Sequence, residues 1–242
     1  MREKISISID RDILDKVDGL VNNSHIRNRS QAFEAVAKSY FDTQKVSQAL
    51  ILAGGLKKAA KMSLLHATIT KLKAAGVSQF FIAGGSNNVS IFEHFGDGSD
   101  RGIHITYIKE DRPAGTGGAT KQTEKFIDSD FFLVFGDVDF DIKLLDLAKF
   151  HRDKGAVVTM SLTTTQLRDS TENISMEGDK IISFEFGARK RSHFCSAGVY
   201  VCSPSLFSFL RSASSLEKDV FPKLANEGLL FGYVFSTKWV HD

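Results

Sequence analysis

The sequence predicts an α/β protein in two parts: a small strand–helix–helix module over residues 1–45 and a larger domain with a mostly parallel sheet over residues 46–242. Three observations carry this. Glycine is unevenly spread, with only Gly19 in the first 50 residues and a dense series from Gly54 onward. Residues 4–10 alternate strictly between polar and β-branched side chains, the pattern of a strand with one buried face. From residue 49 on, continuous apolar runs alternate with helical stretches, as in a sheet covered on both faces.

Composition narrows the function classes. Hydrophobic residues make up 42% and charged residues 25%, values that exclude global disorder. Lys+Arg is 31 against Asp+Glu 29, so a polybasic coat is excluded as well. No apolar run approaches the roughly 20 residues needed to cross a bilayer. The opening Met1-Arg2-Glu3-Lys4 leads into alternating residues rather than an apolar signal segment. No membrane partner and a cytoplasmic location are therefore expected. Cys195 and Cys202 fall in one expected strand at an odd offset, on opposite faces, which argues against a disulfide between them. The histidines show no metal spacing, and the phenylalanines lie mainly in apolar strands, as core packing requires.

In the first module, Ile5, Ile7 and Ile9 face a core while Arg2, Lys4, Ser6 and Ser8 face outward. Asp10 suits a helix N-cap, and Ile13, Leu14, Val17, Leu20 and Val21 repeat at helical spacing. Asn22-Asn23-Ser24 breaks that helix. A second helix starts at Asn28-Arg29-Ser30-Gln31, where Asn28 and Gln31 stand at capping-box spacing. One strand and two helices cannot bury three isoleucines alone, so a second copy is expected to pair its strand with this one.

The order strand, helix, Asn-Arg-Ser, helix over residues 3–42 resembles the ribbon-helix-helix family of dimeric DNA-binding proteins. The resemblance implies a swapped dimeric β-ribbon in the major groove. Arg2, Lys4, Ser6 and Ser8 would face base edges, and Asn28, Arg29 and Ser30 would clamp a phosphate at a helix start. The module carries little charge for this task, with 8 Lys+Arg against 7 Asp+Glu over residues 1–45.

In the larger domain, strands are expected near residues 49–53, 80–83, 103–108, 131–135 and 157–162. Helices are expected near 69–75, 89–94, 118–126 and 142–154. Ligands of such sheets bind at the carboxyl ends of the strands, where the glycine pairs fall. Leu50-Ile51-Leu52-Ala53-Gly54-Gly55 resembles the opening motif of sugar-phosphate nucleotidyltransferases. The segments His94-Phe95-Gly96-Asp97-Gly98-Ser99 and Glu110-Asp111-Arg112-Pro113-Ala114-Gly115-Thr116-Gly117-Gly118 resemble their base- and sugar-reading segments. Phe132-Leu133-Val134-Phe135-Gly136-Asp137 resembles their metal-binding strand. Ser196-Ala197-Gly198-Val199-Tyr200 and Leu216-Glu217-Lys218-Asp219-Val220-Phe221-Pro222 resemble later substrate-side motifs. The resemblance implies a Rossmann-like nucleotidyltransferase domain. Gly54, Gly55, Glu110, Pro113, Gly115, Thr116 and Gly117 would bind nucleotide and sugar, and Asp137 and Asp242 would hold Mg²⁺.

The sequence departs from that family after Gly55. The family's Gly-Thr-Arg loop and its later Pro-Lys are replaced by a shorter Leu56-Lys57-Lys58-Ala59-Ala60-Lys61 run. Positioning and charge stabilisation supply most of the catalysis in phosphoryl-type transfer, so their loss would remove several powers of ten of rate. The sequence alone therefore reads as a DNA-binding transcriptional regulator. A degenerate, inactive nucleotidyltransferase domain would sense a nucleotide or nucleotide-sugar effector, or build oligomers. Its expected partners are double-stranded DNA and a second copy of the chain. No cofactor is required in that reading, and Mg²⁺ enters only with a bound nucleotide or nucleotide sugar. The alternative is an active Mg²⁺-dependent transferase that also binds DNA, in which Lys57, Lys58 or Lys61 replaces the missing cations. A third reading is an interaction scaffold.

Overall fold

The computed structural model describes residues 6–22, 26–43, 45–54, 59–109, 113–164, 172–187 and 193–241. The chain divides into two compact units, Met1–Lys45 and Val46–Asp242.

In the first unit, helix α1 (Arg11–Asp18) follows the extended residue Asp10, whose carbonyl accepts the N–H groups of Ile13 and Leu14. Asp12 in its first turn and Lys16 in its last suit the helix dipole. Helix α2 (Arg29–Thr43) starts with the cap the sequence predicts. Asn28 Oδ1 accepts the Gln31 N–H at 3.0 Å, and Gln31 Oε1 reaches back to the Arg27 N–H at 2.7 Å. The ribbon is not shown. Residues 6–10 enter no sheet among the described residues, and Ile7 is 59% exposed. The expected partner strand is that of a second copy, and alternation prescribes two faces for a segment without supplying its hydrogen-bonding partner. Arg2 and Lys4 lie outside the described residues, and Ser6 and Ser8 are exposed.

The second unit is built on a mixed nine-stranded sheet. In chain order its parallel half is β1 (Gln48–Leu52), helix α3 (Ala59–Ala74), β2 (Gln79–Ala83), helix α4 (Asn88–Phe95), β3 (His104–Tyr107), helix α5 (Gly115–Lys121) and β4 (Phe131–Phe135). A short strand β5 (Val138–Phe140) and helix α6 (Leu144–Lys154) lead to β6 (Val158–Thr164). Then come the hairpin β7 (Glu172–Glu177) and β8 (Lys180–Phe186), the long strand β9 (Phe194–Cys202), a π-helical turn at Leu216–Val220, helix α7 (Phe221–Asn226), β10 (Leu230–Phe235) and β11 (Trp239–His241). The order across the sheet is β3-β2-β1-β4-β9-β6-β10-β8-β7, and all strands except β8 and β9 run in one direction.

Successive residues of the central strands feed opposite faces, as the apolar runs require. Ala49, Ile51, Phe132 and Val134 join Leu65, Leu72, Ile91 and Leu147 on one side. Leu50, Phe131 and Leu133 join Ala119, Leu206, Phe221 and Leu224 on the other. Cys195 and Cys202 are buried free thiols. Two elements differ from expectation. Helix α3 begins ten residues earlier than its apolar spacing indicates, and α5 ends at Lys121, with turns taking over to residue 126. No helix among the described residues is long and apolar enough to cross a membrane.

Candidate functional site

The parallel strands bring their carboxyl ends together, and three loops meet there. The Ala53 N–H donates to the Ala83 carbonyl at 2.8 Å, and the Gly136 N–H donates to the Leu52 carbonyl at 2.9 Å. These two bonds tie the ends of β1, β2 and β4. Asn87 Nδ2 donates to the Gly54 carbonyl at 3.2 Å and holds the turn after β1 from the β2 side. Gly54 is exposed, and a Cβ added there would meet nothing within 4 Å. Its backbone is therefore open to a ligand. Gly55, Lys57 and Lys58 lie outside the described residues, as does the side chain of Lys61.

Asp137 is half-buried in the turn between β4 and β5. Strands β5 and β11 pair antiparallel, Trp239 with Phe140 and His241 with Val138. The ladder thus reaches the residue next to Asp137, and Asp242, which follows His241 in the chain, lies outside the described residues. Lys71 from α3 donates to Asp139 Oδ1 at 2.7 Å, and this ammonium holds the Asp139 carboxyl below the usual carboxylate range. The bond ties the helix that follows the lysine loop to the strand beside Asp137. Among the described residues no group of three or more His, Cys, Asp or Glu is arranged to hold a metal.

The segment 196–198 of β9 packs against this turn. Gly198 has φ +72°, and a Cβ there would lie 3.0 Å from Val138 Cγ1 and 3.4 Å from Phe135 Cβ. The Trp239 indole N–H donates to the Ala197 carbonyl at 3.0 Å. Ser196 Oγ lies 2.6 Å from the Tyr200 hydroxyl and accepts the Gly198 N–H at 3.2 Å. Glu172, at the start of β7, accepts the Ser196 N–H at 2.7 Å. Burial pushes the Glu172 carboxyl up to about 7, against the lowering effect of that hydrogen bond, and the neighbouring Glu217 adds to the rise.

The second glycine group has a packing role that spacing did not reveal. The Gly117 and Gly118 N–H groups both donate to the Ser214 carbonyl, at 2.9 and 3.2 Å. A Cβ on Gly115 would fall 2.5 Å from that same carbonyl oxygen, and one on Gly118 would fall 2.8 Å from the Ser212 oxygen. The close approach these glycines permit is to the protein's own 212–215 backbone. Thr116 Oγ1 donates to Glu217 Oε2 at 2.8 Å and accepts the Leu216 N–H at 2.9 Å, joining α5 to the π-helical turn. Pro113 is exposed, and Glu110 lies outside the described residues. Sequence reasoning missed Glu172. A charged residue opening a polar strand carries no mark of burial, and its contact with Ser196 spans 24 residues.

Two of the residues expected to clamp a phosphate are engaged within the first unit. Arg29, predicted as a phosphate clamp, forms a two-bond ion pair with Asp18, with Nε to Oδ1 and Nη2 to Oδ2 both at 2.6 Å. That pair holds the Asp18 carboxyl low and engages the guanidinium edge a phosphate would need. Asn28 is spent on the helix cap.

Comparison with known proteins decides the matter. A mannose-1-phosphate guanylyltransferase of Mycobacterium tuberculosis is 31% identical over 188 residues, covering 74% of this chain and 52% of that protein. A D-glycero-alpha-D-manno-heptose 1-phosphate guanylyltransferase of Campylobacter jejuni is 31% identical over 180 residues, covering 66% of this chain and 78% of that protein. The chain spans about half the length of the mannose-1-phosphate relatives it matches. Two solved structures share the fold. HddC from Yersinia pseudotuberculosis superposes with TM-score 0.69 at 19% identity, over 81% of this chain and 93% of that one. The inositol-1-phosphate CTP transferase of T. maritima superposes with TM-score 0.69 at 18% identity, over 81% and 89%.

These relatives overturn the reading of the chain as a transcription regulator with DNA as its partner and a pseudoenzyme as its body. A short lysine run after Gly55 was taken as a lost catalytic loop, yet the chain keeps 31% identity to proteins named as transferases. The profile described as nucleotidyl transferase matches residues 47–240, and the chain belongs to that family.

Proposed function

We propose that the chain is a sugar-phosphate nucleotidyltransferase that uses GTP and a sugar 1-phosphate. The observation that carries this is the 31% identity to two guanylyltransferases named for mannose 1-phosphate and a heptose 1-phosphate. In the reaction, a phosphate oxygen of the sugar 1-phosphate attacks the α-phosphorus of the nucleotide. The bond from that phosphorus to the β-phosphate oxygen breaks. Pyrophosphate leaves and the nucleoside diphosphate sugar remains.

The open backbone of Gly54, with Gly55, suits the approach of a nucleobase or phosphate at the end of β1. Glu110, Pro113, Gly115, Thr116 and Gly117 belong to the same nucleotide and sugar side in this reading. Lys57 and Lys58 fall in the sequence between β1 and α3 and Lys61 in the first turn of α3, and in this reading they neutralise the phosphates. Asp137 and Asp242 are hard oxygen donors, and the β5–β11 register supports placing them side by side to hold Mg²⁺. When bound, that ion supplies Lewis-acid stabilisation of phosphate oxygens.

The test compares Asp137→Asn with wild type in a pyrophosphate-release assay with GTP, mannose 1-phosphate and Mg²⁺. The variant is expected to lose at least about 100-fold in kcat, roughly 3 kcal/mol of transition-state stabilisation. Equal rates would remove Asp137 from the site.

A further inference from the structure

Glu172 lies at the start of β7, away from the glycine motifs and from Asp137 in sequence, yet hydrogen bonds join it to the site. Its Oε2 takes the Ser196 N–H at 2.7 Å. Ser196 in turn uses its hydroxyl to accept the Gly198 N–H, and that hydroxyl meets the Tyr200 hydroxyl. Gly198 holds a left-handed conformation with Phe135 and Val138 against it, the residues on either side of the Gly136-Asp137 turn. The Trp239 indole fixes the carbonyl between them, that of Ala197. Glycine adopts this conformation without steric cost, and Val138 and Phe135 leave little room for a larger residue there.

We propose that Glu172 is a positioning residue: by holding the Ser196 N–H it fixes the 196–198 segment of β9 against the Asp137 turn in the geometry that the transfer reaction requires. This rests on the transferase reading above. Glu172 touches no reacting atom in this account and acts through Ser196. A carboxylate fits the role because it accepts an N–H strongly even when half-buried. Burial keeps the Glu172 carboxyl near 7, so assays at pH 8 examine the ionised acceptor. Glutamine keeps an oxygen of the same reach, whereas alanine removes the acceptor and leaves the Ser196 N–H without it.

The chain has one tryptophan, Trp239, whose indole donates to Ala197, so its fluorescence reports on this segment independently of turnover. The 242-residue chain and its Glu172→Ala and Glu172→Gln variants are compared at pH 8, by acrylamide quenching of Trp239 and by pyrophosphate release from GTP and mannose 1-phosphate. Glu172→Ala is expected to raise the quenching constant at least twofold. It is also expected to lower kcat at least tenfold, with the KM for GTP within twofold of wild type. Glu172→Gln is expected to stay within twofold on each measure. Unchanged quenching in Glu172→Ala would overturn the proposal, and so would a Gln variant as impaired as the Ala variant. A parallel rise in the KM for GTP would do the same, since it would mark a general loss of structure. If the wild type turns over no substrate, the transferase reading fails and the role in the reaction fails with it. The quenching comparison then decides separately whether Glu172 holds the turn.

Discussion

His151, on the inner face of α6, is 2% exposed, and its Nδ1 lies 2.9 Å from Thr159 Oγ1. Burial lowers its pKa from 6.5 to about 4, and the nearby Arg152 charge acts in the same direction. The unfolded chain therefore takes up this proton at a higher pH than the folded protein does. Between pH 6.5 and 4 the unfolded state binds more protons, and stability falls as pH falls. Over that window the gap in unfolding free energy between wild type and His151→Leu should shrink by up to about 3 kcal/mol. Urea titrations of both proteins at several pH values check this, and a constant gap would show that His151 keeps an ordinary pKa. None of this is legible in the sequence, where His151 is one histidine among seven on an amphipathic helix. Glu172 is hidden for the same reason, since burial and a distant partner leave no local pattern. Asp137 is legible because it ends an apolar strand in a recognisable motif.

At the scale of elements, the two glycine groups separate by what surrounds them. Gly115 has φ +75° and would drive a Cβ against the Ser214 carbonyl, so Gly115→Ala should cost about 1–3 kcal/mol of stability. Gly54 faces open space, so Gly54→Ala should leave the unfolding midpoint almost unchanged while raising the KM for GTP. Thermal unfolding and steady-state kinetics of the two variants test the distinction. If Gly54→Ala leaves KM unchanged, that backbone does not face nucleotide. The strands were legible because continuous apolar runs mark buried strands, and β1, β2 and β4 fall where the runs fall. The Asn28–Gln31 cap was legible because capping is local chemistry. The hairpin of β7 and β8 shows no clean alternation in sequence: Ile181 and Phe184 are buried while Ile182 and Phe186 are exposed. Residues 4–10 alternate regularly, but strand pairing depends on a partner that a pattern does not supply, and residues 6–10 enter no sheet among the described residues.

For the whole molecule, the family match covers residues 47–240, and the second unit carries a hydrophobic layer on each face of its sheet. Among the described residues of the first unit, the buried apolar ones are Val17 and Ala32. A resemblance at the N-terminus and a missing loop signature together pointed to a regulator. An alignment at 31% identity that covers 74% of the chain outweighs both. The run 57–61 keeps positive charge where the family motif has an arginine, but lysine lacks arginine's two-bond fork, so a motif search does not recognise it. The most direct measurement is pyrophosphate release by the wild-type chain with Mg²⁺, each of GTP, CTP, UTP and dTTP, and either mannose 1-phosphate or D-glycero-alpha-D-manno-heptose 1-phosphate. Release that requires GTP together with a sugar 1-phosphate is predicted. The absence of release with every pair would contradict the transferase account.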